Sequence, residues 1–487
     1  MGQWFQSIKK GVPPRMSNLV SIDQTNSKEG KTPMSIVRQE SLFSMQILFD
    51  LEPTQRYDEI FSAIDIHPIL NIVEKKSSLG RPVDLNYPAM VQALVVRIVE
   101  RIPEIKLLVR RLNSDLKFKV DCGFLISDQV PSETSFSRMI TKIKDTDVLE
   151  ELNSQIIHDA INEEFIKTPN IAIDSGHFEA RDQSPSKKEE QSKPEPKKRG
   201  RKTKAEHAQW LKEKEAKEAS LFIFEKKIED QLDVPYDELH DQMPLNPAWG
   251  VKKNSEGKNV FWYGYKGHFA VDTKTQFILH SMISSGNLND GKAAIPVLKG
   301  IESLFPELKM IFALMDAGYD YKAIYEQIHR MKGYSIIAYN KKNESEPIGF
   351  DENFAPTCVR EHSYRYDSFD KKYQTLKYTR PKECADCPLA EDSLCQKVYK
   401  IRIETDLRRY SAPARGSVSW EERYKERTSV ERVIGYLKEF FQLNNVRYRT
   451  GERAKVHFNL ITMVYNGMKL ASMRLAQKQS AMKIAAA

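Results

Sequence analysis

The sequence predicts an α/β protein with a mixed sheet flanked by helices, a preceding helical amino-terminal domain and a cysteine-bearing insertion. Two observations support this prediction. Apolar residues recur at helical spacing from about residue 42 to 165, whereas β-rich runs alternate with helical runs from residue 170 onward. The run MIFALMDAGYD at 310–320 is also apolar without interruption until Asp316, which is typical of a strand buried on both faces. Such alternation indicates a sheet with helices packed on it.

The amino-terminal part is predicted to contain an arm and a helical domain. Residues 1–41 are polar, with scattered Ser, Asn, Lys and Pro, and we expect a flexible arm there. Residues 42–165 are expected to form the helical domain. Its clearest helical runs are 87–102, 103–112, 132–143 and about 146–165. Ser132 begins the third run and is the expected amino-terminal cap.

The sheet is predicted from the runs that follow. NIAIDSG is a short strand that ends at Asp174, and two aromatic runs joined by the turn DTKT form a hairpin. Asp290 is the expected cap of the next helix, and the last helix, YKERTSVERVIGYLKEF, is expected to be continuous. The predicted elements are, in order, a strand at 170–176, hairpin strands at 260–272 and 276–286, a helix at 289–305, a strand at 310–320, a helix at 321–333, a strand at 334–340 and a helix at 424–440.

Two insertions interrupt this order. Residues 181–220 contain KPEPKKRGRKTK, with seven Lys or Arg against one Glu, and we predict a basic disordered insertion. This basic run leads into AEHAQWLKEKEAKEA, which is helix-prone. Its basic run is either an arm that enters the minor groove of A·T-rich DNA or a solvated linker. The second insertion, at 345–400, holds four of the five cysteines.

Composition restricts the partners and the compartment. The net charge of +8 and the pI near 8.9 favour a polyanionic partner. We expect no membrane partner, because no apolar run approaches the length that crosses a bilayer, and no secretory leader, because the amino terminus lacks an apolar core. Five cysteines, four of them clustered, are typical of a reducing compartment.

Three carboxylates are the candidate catalytic residues. Asp174 and Asp316 end two predicted strands, where the functional crevice of an open α/β sheet lies, and Glu431 lies on a helix that could cover it. Three clustered carboxylates repel one another unless cations are present. Oxygen ligands with open positions suit Mg²⁺ or Mn²⁺, and two such ions can activate water and stabilise the leaving oxygen of a phosphodiester. Alternatively, both Asp-x-Gly sequences are ordinary turns.

The last helix carries a polar stripe beside its apolar seam. Tyr424, Arg427, Glu431 and Lys438 are spaced by three, four and seven, which places them within an arc of about 60° on a helix. Tyr424, Arg427 and Lys438 would contact DNA phosphates next to Glu431. The alternative is a solvated face with an Arg427–Glu431 pair.

These residues resemble the DDE transposases of bacterial insertion sequences. The branch with the signature Y-x2-R-x3-E-x6-K is matched with every spacing kept, and AIDSG and LMDAGYD resemble its two Asp strands. The resemblance covers about 85–470. It implies a ribonuclease H-like catalytic domain at 166–475, a helical amino-terminal domain that binds DNA ends, and a tail at 476–487. The sequence GHFEARD after Asp174 departs from the pattern and leaves its neighbours unassigned.

The resemblance also implies a chemistry. Asp174, Asp316 and Glu431 would hold two Mg²⁺ or Mn²⁺ ions, water would attack at the transposon end, and the freed 3′-hydroxyl would attack target DNA. The expected partners are double-stranded DNA, as terminal inverted repeats and target, and a second copy in a homodimeric DNA complex. The expected location is the bacterial cytoplasm, at the nucleoid. His177 and His268 are either additional acid–base groups or plain loop and strand histidines.

Two other functions stay open for such a chain. One is a domesticated endonuclease of the same fold, which cuts DNA but no longer transposes. The other is a catalytically silent DNA-binding protein. The intact acid triad argues against the silent protein.

The clustered cysteines allow two interpretations. Cys358, Cys384, Cys387 and Cys395 could form a tetrahedral zinc site, because CADC resembles half of a zinc ribbon. Zinc would then organise an insertion that we expect to be too short for its own core. The alternative is four reduced thiols in a small loop domain. Cys122 is expected to be a buried apolar residue.

Overall fold

The structure of the chain is a computed structural model. It describes residues 45–74, 85–184, 203–253, 256–342, 344–345, 347–390 and 395–485. The predicted flexible arm at 1–41 and most of the basic run at 193–204 lie outside these residues.

Helices fill the amino-terminal part, as the periodicity predicts. Their bounds are α1 (Gln46–Phe49), α2 (Pro53–Ser62), α3 (His67–Val73), α4 (Tyr87–Val99), α5 (Ile105–Ser114), α6 (Leu116–Asp121), α7 (Glu133–Ile143) and α8 (Val148–Asn162). As predicted, Ser132 caps α7, because its hydroxyl accepts a hydrogen bond from the backbone N–H of Ser135 at 3.2 Å. Cys122 is fully buried, also as predicted.

The described residues form one mixed sheet at the centre of the rest of the chain. Its strands are β1 (Ile171–Glu179), β2 (Ala248–Lys253), β3 (Asn259–Asp272), β4 (Ile278–Ser285), β5 (Phe312–Met315) and β6 (Tyr334–Ile337). The strand order is β4–β3–β1–β5–β6, and β2 pairs with the amino-terminal part of β3. Strand β1 is antiparallel to β3 and parallel to β5. The sequence predicts all of these strands except β2.

Helices pack on the sheet and connect it to the amino-terminal part. The bounds are α9 (Lys204–Ala219), α10 (Tyr236–Asp241), α11 (Asp290–Leu304), α12 (Lys322–Arg330), α13 (Val418–Lys425), α14 (Thr428–Phe440) and α15 (Gly451–Ala485). Helix α14 packs on β1 and β3, and α15 packs on β4 and on α8. Buried side chains of both parts therefore belong to one continuous hydrophobic core.

Three local predictions are wrong. The run at 424–440 is two helices, because Glu426 and Arg427 form a turn between α13 and α14. Asn289, and not Asp290, caps α11, since its side chain accepts from the N–H of Gly291 at 2.9 Å. The first strand does not end at Asp174, because β1 continues to Glu179. The helix-prone run at 205–219 does form a helix, α9, which begins with a capping box.

The cysteine insertion has a small core of its own. Its strands β7 (Arg365–Asp370), β8 (Thr375–Thr379) and β9 (Val398–Arg402) form an antiparallel sheet. Buried side chains pack on this sheet, among them Tyr364, Leu376 and Tyr378. The expectation that the insertion is too short for a core is therefore wrong, because the three strands bury aromatic rings against residues that follow them in the chain.

Candidate active site

Asp174 and Asp316 lie level with each other on two adjacent parallel strands, Asp174 within β1 and Asp316 at the end of β5. Ile171 pairs with Ala313 in the β1–β5 ladder, and each aspartate follows its member of this pair by three residues. Asp316 immediately follows β5 and accepts a hydrogen bond from the N–H of Gly318 at 2.8 Å. Both side chains are half-buried. The sheet alone therefore brings the two predicted acids together.

Helix α14 brings the third acid to the same place. Gly176, two residues after Asp174 and so on the same face of β1, lies directly under this helix. A Cβ at Gly176 would be 2.8 Å from the Ile434 side chain and 3.6 Å from Cε of Lys438. Glu431 precedes Ile434 by about one helical turn. It therefore lies beside Asp174, and the absence of a side chain at Gly176 permits this close approach.

The electrostatics of Asp174 reflect this clustering. Burial raises the pKa of its carboxyl to about 7, and the charges of Asp316 and Glu431 act in the same direction. A hydrogen bond from the N–H of Ser175, at 2.7 Å, and the charge of Arg427 act against the shift. Like charges and desolvation are the ordinary causes of a raised carboxyl pKa. The site is thus short of positive charge around Asp174.

Arg427, in the turn before α14, and Tyr424, near the end of α13, flank the acids. The guanidinium of Arg427 donates to Oε1 of Glu431 at 2.8 Å. It also lies 5.5 Å from the centre of the Tyr424 ring, and that ring stacks on Trp420 at 4.9 Å. Tyr424, Arg427 and Glu431 therefore stay together although the helix is broken, because Arg427 contacts Tyr424 in α13 and Glu431 in α14.

Lys438 and two histidines lie near the acids in different environments. Burial lowers the pKa of Lys438, and the ammonium of Lys252 lowers it further. The pKa of His177 is lowered to about 4 by burial and then by Lys438, Lys252 and Lys266. His268 is fully buried, with Nε2 at 2.8 Å from the Ser284 hydroxyl, and burial lowers its pKa to about 4. Both imidazoles are thus neutral near pH 7, and His268 is a core histidine.

Comparisons with known proteins identify the family. A model described as a transposase DDE domain matches residues 230–466, which include Asp316 and Glu431. A second model, described as a transposase domain (DUF772), matches residues 46–142. The chain belongs to the DDE transposases.

None of the curated proteins matches the chain. Among solved structures, it is similar to a chain of the cryo-EM structure of the piggyBac transposase synaptic complex with hairpin DNA. That likeness has 12% identity and a TM-score of 0.35, and it covers 93% of this chain and 79% of that one. A likeness at this level supports no statement about the site.

No helix in the described part of the transposase combines the length and the apolar character that crossing a membrane requires.

A buried ion-pair network that the sequence analysis missed holds the loop after β5. Asp320 is fully buried and receives hydrogen bonds from Arg408, the shortest at 2.7 Å, and from the Tyr325 hydroxyl at 2.8 Å. Arg408 also contacts Glu344 at 2.5 Å, and Arg415 donates to the same tyrosine at 2.8 Å. This network fixes the segment that follows Asp316. The sequence marks only Asp320, as the second acid of DAGYD, and does not indicate its distant partner Arg408.

Among the described residues, one group brings three ligand atoms within 4.8 Å of one another, namely Asp147, Glu150 and His240. This group already holds a cation, because the ammonium of Lys455 lies 2.8 Å from Asp147 and 2.9 Å from Glu150. It is therefore a salt-bridge network. The oxygens of Asp174, Asp316 and Glu431 are gathered less tightly, and one oxygen of Glu431 is engaged by Arg427.

The four predicted zinc ligands of the transposase lie close to one another. Burial raises the pKa of the Cys384 thiol, and Cys395, Cys358 and Cys387 raise it further. All four are half-buried free thiols. No three of their sulfurs lie within 4.8 Å of one another in the described residues, so zinc ligation would require the sulfurs to move closer together.

Proposed function

We propose that this transposase cleaves the ends of a DNA element and joins the freed 3′-hydroxyl to target DNA by transesterification. The observation that carries the proposal is the convergence of Asp174, Asp316 and Glu431. Two neighbouring parallel strands and one covering helix supply them. In the sheet, β4, β3 and β1 are successively antiparallel, and β5 and β6 then run parallel to β1. This order supports the further assignment of a ribonuclease H-like catalytic domain.

The three acids fit a pair of divalent metal ions. Burial and two neighbouring acids raise the pKa of Asp174 to about 7. A cation nearby would stabilise its ionised form. Mg²⁺ or Mn²⁺ bound there would supply an activated water and would stabilise the leaving oxygen of the phosphodiester. The chain's own contribution is to hold the carboxylates at fixed places and to keep Glu431 paired with Arg427 until an ion competes for it.

The surroundings of the acids suit DNA. Arg427, Lys438 and Tyr424 offer two cations and a phenol beside Asp174, and the net charge of the chain is +8. The substrates would be double-stranded terminal inverted repeats and target DNA. We propose a homodimer in the DNA complex, located in the cytoplasm at the nucleoid. The structural role of zinc in the cysteine insertion belongs to the same proposal, with four reduced thiols as the alternative.

A cleavage assay on paired inverted ends, with and without Mg²⁺, tests this function. We expect strand cleavage that requires the ion, followed by joining to target DNA. Binding without cleavage would favour a silent DNA-binding protein. Cleavage without transposition in cells would favour a domesticated endonuclease.

A further inference from the structure

The β2–β3 hairpin exposes an unusual row of apolar side chains. Trp249, Val251 and Phe261 have 56%, 55% and 63% of their surface exposed. Val251 pairs with Phe261, and Trp249 pairs with Tyr263, so these four side chains share one face of the ribbon. We call this set (Trp249, Val251, Phe261 and Tyr263) the aromatic face.

The ribbon itself is fixed. On the opposite face Trp262 is buried and lies over Gly250, where a Cβ would be 2.2 Å from the indole. The Trp262 ring also contacts His177, with ring centres 4.6 Å apart. A two-stranded ribbon is only marginally stable alone. Here the packed tryptophan holds it in place, so that exposure of the aromatic face is a property of a rigid element.

The aromatic face lies on the same side of the sheet as the catalytic acids. Asp174 pairs with Phe269 across β1 and β3, and alternate residues of β3 lead from Phe269 to Tyr263 and Phe261. Near Phe269 this side is covered by α15, since the Phe458 ring is 5.2 Å from that of Phe269. Farther along β3 the cover ends and the aromatic face is open.

Cations accompany the aromatic side chains. Lys253 alternates with Trp249 and Val251 and so lies on the aromatic face, whereas Lys252 lies on the opposite face of β2. Neither lysine is paired with an acid in the part of the chain that the structure describes. Lys438 lies on the side of the sheet that carries the acids, since its Cε is 3.6 Å from where a Cβ of Gly176 would be. Lysine is depleted in the cores of protein–protein interfaces, whereas aromatic rings interleaved with cations are typical of surfaces that bind unpaired nucleic-acid bases.

We propose that the aromatic face binds unpaired bases of the DNA that flanks the cleavage point, about 20–26 Å along β3 from Phe269, while Lys253 contacts the adjoining phosphates. Bases must leave the helical stack to meet Trp249 or Phe261, because rings stack on the flat face of a base and this is hidden in duplex DNA. This inference rests on the proposed function, since the DNA bound at the aromatic face would be the DNA that the catalytic acids cleave.

The test compares two DNA duplexes of one sequence, one fully paired and one with a four-nucleotide unpaired stretch, in binding to the full-length protein. We expect the wild type to prefer the second duplex by about tenfold or more. Trp249→Ala and Phe261→Ala should each remove most of this preference and leave binding to the paired duplex unchanged. Phe222→Ala is the matched control, because Phe222 is equally exposed, at 68%, outside the hairpin.

Three results would overturn the inference. Equal preference in the wild type and both variants would do so while leaving the proposed function intact. Loss of a dimer by Trp249→Ala or Phe261→Ala without DNA, seen by sedimentation, would identify the face as an interface between copies. Absence of any DNA binding by the wild type would overturn both the inference and the proposed function.

Discussion

At the scale of single residues, Asp174, Asp316 and Glu431 are expected to act as a unit. Replacement of any one by Ala should abolish strand cleavage, because a pair of ions that share ligands is loosened as a whole. Binding to DNA ends should be largely kept. Cleavage and binding assays on the same DNA check this, with Glu439→Ala as the control, since Glu439 is an exposed acid of the same helix. Near-normal cleavage by any of the three variants contradicts the triad.

The pKa of Asp174 predicts a dependence of stability on pH. Its carboxyl titrates near 7 in the folded protein and near 3.9 when unfolded. Because the folded value is raised, ionised Asp174 destabilises the fold fully above pH 7, less as pH falls, and not at all below about pH 4. In chelator, Asp174→Asn should therefore raise the free energy of unfolding at pH 8, by about 4 kcal/mol at most.

Thermal unfolding of the two proteins from pH 4 to 8 measures this effect. The gap in Tm should close towards pH 4. Added Mg²⁺ should raise the Tm of the wild type at pH 8 and leave that of Asp174→Asn nearly unchanged. A Tm gap that is independent of pH would show that Asp174 is an ordinary carboxylate and that another feature of the variant stabilises the fold.

Arg427 and Lys438 are predicted to contact DNA phosphates. Arg427→Ala and Lys438→Ala should each weaken end binding and reduce the slope of log K against log salt by about one, because each removes one phosphate contact. Titrations at several salt concentrations measure the slope. Arg330 is a suitable control, since it ends α12 in ion pairs with Asp233 and Glu326. If the salt slope is unchanged in both variants, Arg427 and Lys438 do not contact phosphates and the polar stripe is a solvated helix face.

At the scale of elements, the sequence predicts those whose pattern is strong and local. Strand β5 is apolar throughout, and Ser132 caps α7 through a neighbour three residues away. By contrast, β2 mixes exposed Trp249 and Val251 with lysines, so its pattern does not resemble a half-buried strand. The turn at Glu426 and Arg427 has helical backbone angles at both residues, and for this reason no glycine or proline marks it.

The cysteine insertion provides the prediction at this scale. If Cys358, Cys384, Cys387 and Cys395 bind zinc, purified protein should contain about one zinc per chain. Cys384→Ser should lose it, together with the protease resistance of the loop around Cys384, whereas the strands β7 to β9 should stay protected by their own core. Cys122→Ala is the control, since Cys122 is buried elsewhere. Folded, active and zinc-free protein, purified without chelators, would favour four reduced thiols.

At the scale of the whole molecule, the parts that the sequence could not predict are those that depend on distant partners. Asp320 and Arg408 are 88 residues apart and form one buried pair, which no local pattern indicates. The acids of the site could be predicted, because Asp174 and Asp316 each follow a short apolar run and Glu431 lies in a signature of fixed spacing. Their distances and the Arg427 pair on Glu431 depend on how α14 packs over Gly176, and this is known only from the structure.

The same packing suggests that the helical part and the sheet unfold together. Asn466, in the middle of α15, is fully buried. Its amide donates to the Asn153 side chain of α8 and to the carbonyl of Ile278 of β4, both at 2.8 Å, and its oxygen accepts from the N–H of Ile278 at 3.0 Å. One side chain thus satisfies polar groups of both parts, whose boundary the sequence predicts at 165 and 166.

Asn466→Leu should therefore destabilise both parts equally. It leaves buried groups of Asn153 and Ile278 without partners, which we expect to lower the free energy of unfolding by about 3 kcal/mol. Native-state hydrogen exchange measures the outcome separately for α8 and for β3 and β4, with Gln479→Ala on the exposed end of α15 as the control. Equal loss of protection indicates one cooperative unit, as expected for elements that share a core. Loss confined to α8 or to the strands would show two domains that unfold independently, and α15 would then be a connection between them.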